Sequence, residues 1–287
     1  MNVARISAAR AGLFALLVTG APISQDRVAP PAAELIELAA LIQQVRAAHS
    51  PEPPKDALDR FHAVLRYTPV RVQQDSVELD LDVTYLAPGH LRYRVDEPGR
   101  TLEQGWDDEG GWSLVDKQLT ALRGKDLAND REQVKRRLGI ARQLLRLLDP
   151  AAVLAALESP SAPARSRFRL SEKESADVWV VRGELAEYPL LAPTADGLTT
   201  ARVRLEVTVD AERGLVHAVE AQPLDQHGAP SGPTETVVLR DMVQQDGIVL
   251  PRELFFLRAR QREARIGIRS IDLRPDAVTP ATVRRPR

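Results

Sequence analysis

The sequence predicts a mainly β chain of the α+β kind: one large curved antiparallel sheet, an open half-barrel, covered by a central helical pair. Three observations carry that expectation. Apolar residues recur with a period of two through long stretches on both sides of a segment where the period becomes helical. The strand-like stretches are joined by short turns and never alternate as β-α-β, which argues against doubly wound and α/β-barrel enzyme folds. The chain of 287 residues has 44% hydrophobic content and no cysteine, so its core must hold together without disulfides.

The N-terminus carries Arg5 and Arg10, then the apolar run Ala11-Gly-Leu-Phe-Ala-Leu-Leu-Val18, then small residues up to Ser24. A basic start, a short apolar run and a small-residue exit read as a signal peptide over residues 1–24, placing the protein in the periplasm or outside the cell. An amphipathic first helix is the alternative. Residues 25–56 hold an expected helix, with Leu35, Leu38, Ile42 and Val45 at helical spacing, and a Pro-rich linker, Ser50-Pro-Glu-Pro-Pro54. From Phe61 the period is two. Val77, Leu79, Leu81, Val83 and Tyr85 alternate with Glu78, Asp80, Asp82 and Thr84; Leu91, Tyr93 and Val95 alternate with Arg92, Arg94 and Asp96. The Leu86–His90 connection sets odd positions against odd ones and Asp82 across from Arg94. Trp106 closes a strand before the turn Asp107-Asp-Glu-Gly-Gly111, and Trp112 restarts it.

The helical pair follows. Asn129 or Asp130 is expected to cap a helix whose stripe is Val134, Leu138, Ala141, Leu144, Leu145 and Leu148. Asp149-Pro150 caps a second helix through Val153, Leu154 and Leu157, with proline in the tolerated first turn. After a break at Ser159-Pro-Ser-Ala-Pro163, strands are expected at 165–170, 178–184, 203–210, 215–221, 236–242, 248–260 and 266–273. Turns fall at Asp210-Ala-Glu-Arg-Gly214 and Gln244-Gln-Asp-Gly247. The sheet domain is set at residues 57–275, and the basic tail 276–287 is expected to be disordered.

Reactive chemistry is sparse. The absence of cysteine excludes thiol nucleophiles and thiolate metal sites. His49, His62, His90, His217 and His227 show no metal-ligand spacing, and His62 and His217, inside strands, read as solvent-facing or satisfied. No nucleophile elbow and no phosphate loop occurs. Asp107, Asp108 and Glu109 imitate a carboxylate cluster but sit where a hairpin turn favours acidic residues. No catalytic residue, metal or cofactor is therefore expected. Lysine plus arginine (39) nearly cancels aspartate plus glutamate (40), and aromatics are 4%, which argues against a nucleic-acid partner. Arg258, Arg260 and Arg262 alternate as an anion or partner strip along one strand face; the plainer reading is a wet sheet face matched by Glu253, Glu263 and Glu206.

What remains is apolar surface. Leu79, Leu81, Val83, Tyr85, Leu91, Tyr93 and Val95, with Leu144 and Leu145 opposite, either line a cavity for a lipid or acyl chain or close on the helices as core.

Four segments resemble the LolA/LolB-like lipoprotein-carrier superfamily. They are Tyr85-Leu-Ala-Pro88-Gly-His-Leu-Arg92-Tyr-Arg94, Glu109-Gly-Gly-Trp112-Ser-Leu-Val-Asp116, Val207-Thr-Val-Asp210-Ala-Glu-Arg-Gly214-Leu215 and Arg240-Asp-Met-Val-Gln-Gln-Asp246-Gly-Ile-Val-Leu-Pro251. The similarity spans roughly Phe61 to Leu273, with leucine, valine and arginine where such carriers often place aromatics. The resemblance implies an exported half-barrel under a helical lid, working without catalysis as a carrier or sensor of hydrophobic groups. The partners it implies are a lipid or acyl chain and a membrane or envelope protein, with the chain itself a monomer. A protein-interaction or structural module of the same fold, without transport, is the alternative.

Overall fold

The structure, a computed structural model, describes residues 36–50, 58–69, 78–97, 100–170, 174–191, 200–273 and 275–286. The expected signal segment, residue Leu35 and Val77 lie outside these. Helix α1 (Leu38–His49) leads into strands β1 (Arg60–Pro69), β2 (Leu79–Leu86), β3 (His90–Glu97), β4 (Arg100–Asp107), β5 (Gly110–Val115) and β6 (Gln118–Ala121). Helices α2 (Ala128–Leu147) and α3 (Pro150–Ala155) follow. Then come β7 (Ala164–Arg169), β8 (Ser175–Pro189), β9 (Thr200–Asp210), β10 (Val216–Pro223), β11 (Glu235–Gln245), β12 (Ile248–Arg258) and β13 (Gln261–Asp272), and a last turn of helix, α4 (Pro280–Val283).

All thirteen strands form one open antiparallel sheet, ordered β6-β5-β4-β3-β2-β1-β13-β12-β11-β10-β9-β8-β7. The chain enters in the middle, builds one wing outward, crosses through α2 and α3, and returns from the far edge inward. Helix α2 packs against β3, β4 and β5 and also against β8. β3 and β8 stand eight places apart, about 38 Å if the sheet were flat, whereas a helix is about 10–12 Å across. One helix can touch both only because the sheet wraps around it.

The period-two reading holds in detail. Asp82 lies opposite Arg94 and Leu81 opposite Val95, so Leu81, Val83, Tyr85, Leu91, Tyr93 and Val95 share the helix-covered face and are buried, with Leu79 half-buried. The α2 stripe is also as expected: Val134, Leu138, Ala141, Leu144 and Leu148 are buried and Leu145 is half-buried. Its start differs. The helix begins at Ala128, with no side-chain cap, because Asn129 and Asp130 already lie inside the first turn, where Asp130 meets the positive end of the helix dipole. At α3 the expected cap is present, Asp149 Oδ1 accepting from the Ala152 N–H at 3.0 Å. Close approach explains Gly139: a Cβ there would stand 2.2 Å from the Leu190 carbonyl oxygen, where the end of β8 crosses α2.

Two further expectations are corrected. The stretch read as one strand from 248 to 260 ends at Arg258, because Ala259 (φ 49°) and Arg260 (φ 65°) make a two-residue hairpin into β13. Residues 275–286 of the tail are folded: α4 packs on the outer face of β2 and β3, and Val278 and Val283 are buried beside Leu86. Its arginines explain the docking. Arg285 grips Asp107 at 2.7 and 2.8 Å and Arg284 meets Asp108 at 2.7 Å.

Candidate functional site

The predicted apolar residues come together on one face, mostly as core. Leu81, Val83, Leu91, Tyr93 and Leu144 are buried with Leu138 and Leu148 in a single cluster. Tyr85 and Val95 are buried in the same cluster, and Leu79 and Leu145 are partly buried against it. Leu79 and Val95 line a cleft of about 540 Å³ beside the N-terminal half of α2. Tyr85 and Leu145 line a second, of about 470 Å³, beside its C-terminal half. The two clefts mark opposite ends of β2, and the buried cluster fills the space between them.

The first cleft has one aliphatic side, Leu79, Val95 and Leu102, and is otherwise lined by polar and charged groups, among them Gln104, Asp130, Glu132, Arg136, Arg137 and Glu263. Arg137 comes from the inner side of α2. Its guanidinium lies 4.3 Å over the Tyr93 ring and 6.0 Å from the Tyr67 ring. Its Nη1 donates to Gln104 Oε1 at 3.3 Å. Tyr93 Oη donates to the same oxygen, and Gln104 Nε2 donates to Ser113 Oγ at 3.4 Å. Burial pushes the Tyr93 hydroxyl up to about 12, although Arg137 pulls the other way. The phenol therefore stays a donor. Glu132 and Glu263, on the same cleft, both face Arg136, at 3.7 and 3.2 Å.

The second cleft is walled by Leu58, Ala87, Pro88, Val153 and Pro189 in addition to Tyr85 and Leu145, with Arg142 and Arg146 at its rim. Arg142 Nε donates to the Pro88 carbonyl at 3.0 Å, holding the helix to the β2–β3 turn. Burial also raises the Tyr85 hydroxyl, and that hydroxyl donates to the same carbonyl at 3.1 Å.

Among solved structures the chain is similar to a LolA superfamily protein from Nitrosomonas europaea, at 10% identity and TM-score 0.44 over 87% of this chain and 98% of that one. It is similar to an outer membrane lipoprotein-sorting protein domain from Vibrio parahaemolyticus, at 11% identity and TM-score 0.38 over 82% and 91%. A DUF1329 family protein from Desulfovibrio piger gives 12% identity and TM-score 0.41 over 86% and 94%. No protein-family model and no curated protein matches the sequence.

The remaining candidates resolve into structural roles. Arg258, Arg260 and Arg262 do not share a strand face. Arg258 ends β12, Arg260 occupies the turn, and Arg262 lies on β13 with its guanidinium 4.7 Å over the Phe255 ring. The matching acids have other partners: Glu253 pairs with Arg265, Glu263 with Arg136 and Glu206 with Arg182. Both strand histidines are satisfied, His62 by Asp82 at 2.8 Å and His217 by Asp210 at 3.2 Å. Burial lowers His217, outweighing the Asp210 carboxylate, so it is a neutral donor holding the β9–β10 turn. Among the described residues no group of three or more His, Asp or Glu is placed to hold a metal ion, and no helix is long and apolar enough to cross a membrane.

Sequence reading missed Arg137 and Gln104. One signal was available: Arg137 is three residues after Val134 and four before Ala141, so it occupies a stripe position where a leucine would be expected.

Proposed function

We propose that this chain is an exported, non-enzymatic protein that takes a lipid-like or acylated apolar group between α2 and the helix-covered face of its sheet. The observation that carries the reading is a pair of clefts at opposite ends of β2, one mainly apolar beside Tyr85 and Leu145 and one with an aliphatic side at Leu79, Val95 and Leu102, with side chains of the α2 stripe and the facing strands between them. From Leu79 to Tyr85 a strand spans about 20 Å, the scale of a long acyl chain. Each volume falls in the range that holds small ligands, about 300–1,000 Å³. The similarity of the four sequence segments to lipoprotein carriers points the same way, and the basic-apolar start of the chain supports export.

The test is native mass spectrometry of the purified protein together with uptake of a dansylated undecanoic acid. Bound lipid or saturable uptake is expected. Leu79→Trp and Leu145→Trp, each filling one cleft mouth, should reduce uptake without lowering the melting temperature. Neither co-purifying lipid nor uptake would end the reading.

A further inference from the structure

We propose that Arg137 makes the cleft beside the N-terminal half of α2 a receptor for the anionic head, carboxylate or phosphate, of a single-chain amphiphile whose aliphatic chain lies along Leu79, Val95 and Leu102. This rests on the apolar-ligand reading above and adds the class of head group.

The geometry argues for it in three steps. A guanidinium carries five N–H donors and no acceptor. In this structure Nη1 donates to Gln104 Oε1 and the guanidinium also meets the Tyr93 hydroxyl. Among the described residues no carboxylate lies within ion-pair distance of Arg137, since Glu132 and Glu263 face Arg136. An arginine so placed beside a cleft has donors to spare.

The second step is pre-organisation. The Tyr93 and Tyr67 rings and the Gln104 amide fix the guanidinium on the inner side of α2. Tyr93 is itself immobilised, being 1% exposed and bonded to Gln104. A planar donor fork held in advance loses little freedom on meeting a carboxylate or phosphate, which it matches with two parallel hydrogen bonds.

The third step is the neighbour. Leu79, Val95 and Leu102 line the same cleft and carry no polar atom beyond the backbone. The spare Arg137 donors beside this aliphatic side are complementary to an acyl chain ending in an anion. A free small anion would leave the wall wet, and a neutral chain would leave the donors unmatched. Asp130, Glu132 and Glu263 line the same cleft, the last two paired with Arg136, so the opposite preference, for a cationic head, is the informative rival.

The experiment is a head-group series on one chain length, measured by displacement of a dansylated undecanoic acid from the intact protein: dodecanoate, dodecyl phosphate, dodecanol and dodecyltrimethylammonium. Charge-assisted hydrogen bonds of this kind correspond to about ten- to hundredfold in affinity. Wild type should therefore bind dodecanoate or dodecyl phosphate at least tenfold more tightly than dodecanol, and the stronger of the two anions identifies the head. Arg137→Leu should remove the preference while dodecanol binding stays, and Arg137→Lys should keep part of it. Equal affinity for all heads in wild type, tighter binding of the ammonium, or a preference that survives in Arg137→Leu overturns the inference and leaves the apolar-ligand reading standing. No binding of any chain overturns both. If Arg137→Leu does not fold, the wild-type series alone decides.

Discussion

Lowering the pH should loosen the attachment of α1, and His49 is the reason. His49 is the last residue of α1, 1% exposed, and its Nε2 accepts the Val216 backbone N–H at 2.9 Å. Burial lowers its pKa from 6.5 to about 4. The Val249 carbonyl and Asp149 carboxylate pull upward less strongly, and His217 adds to the lowering. The folded value lies below the unfolded one, so the neutral ring is the native form. Stability from this group is complete above about pH 6.5, where neither state takes the proton, and falls as pH drops toward 4, where only the unfolded chain has taken it. At about 1.4 kcal/mol per pH unit the span corresponds to about 3 kcal/mol. That is a large part of the roughly 5–15 kcal/mol that holds a domain together. A protonated ring would also set an N–H against the Val216 N–H, so the strain is released most directly by undocking the end of α1. Urea titrations of wild type and His49→Gln between pH 7.5 and 4 measure it, because glutamine keeps an acceptor near Nε2 without titrating. Wild type should lose about 3 kcal/mol more than the variant over that interval, or less if α1 detaches first, which hydrogen exchange of residues 38–49 would reveal. Parallel pH profiles for the two proteins would refute the reasoning.

Three other outcomes follow from particular contacts. Gly139→Ala should destabilise by about 1–3 kcal/mol in denaturant titration despite alanine's better helix propensity, because the obstacle is the Leu190 backbone and cannot rotate away. Arg285→Ala should cost about 1–3 kcal/mol and make residues 275–286 an early site of limited proteolysis, since it leaves the nearly buried Asp107 carboxylate without its guanidinium. Replacing Ala259-Arg260 by Asn-Gly should raise stability by about 1 kcal/mol in thermal melts, since both positions hold positive φ that neither native residue favours.

Legibility in the sequence followed the range of the interactions. The β2–β3 register, down to Asp82 opposite Arg94, was readable because alternation and turn length are local and fix one another. The Asp149 cap and the α2 stripe were readable for the same reason. Strand β6 was not, since three of its residues are exposed and Gln118 to Ala121 pair with β5 alone, leaving no apolar period to see. The Ala259-Arg260 turn was hidden by the absence of glycine or asparagine, and from that omission came a three-arginine strip that the fold divides. The tail reads as disordered because its anchor, Asp107 to Glu109, lies about 175 residues earlier. The setting of Arg137 had the same obstacle: Arg137 sits on α2, while Tyr67, Tyr93 and Gln104 sit on β1, β3 and β4.

The distribution of contacts along α2 says how a ligand would enter. Its middle is closed by Leu138 and Leu144, each 1% exposed, and exposing a leucine of that kind costs about 1.5–3 kcal/mol. Its cleft-facing flanks are held differently. Arg137 makes a 3.3 Å bond to an amide and Arg142 a 3.0 Å bond to a carbonyl, beside clefts that are already open. Partly exposed bonds of that type contribute about 1 kcal/mol each and can be replaced by water. Opening should therefore begin along the cleft-facing flanks of the helix, with the leucine stripe yielding last. An aliphatic chain advancing from either cleft would return about 0.8 kcal/mol for each methylene buried, so about two to four methylenes offset one displaced leucine. Leu81, Val83 and Leu91 are core in this structure, and under the proposed function the same arithmetic would let them become cavity wall when a chain is bound.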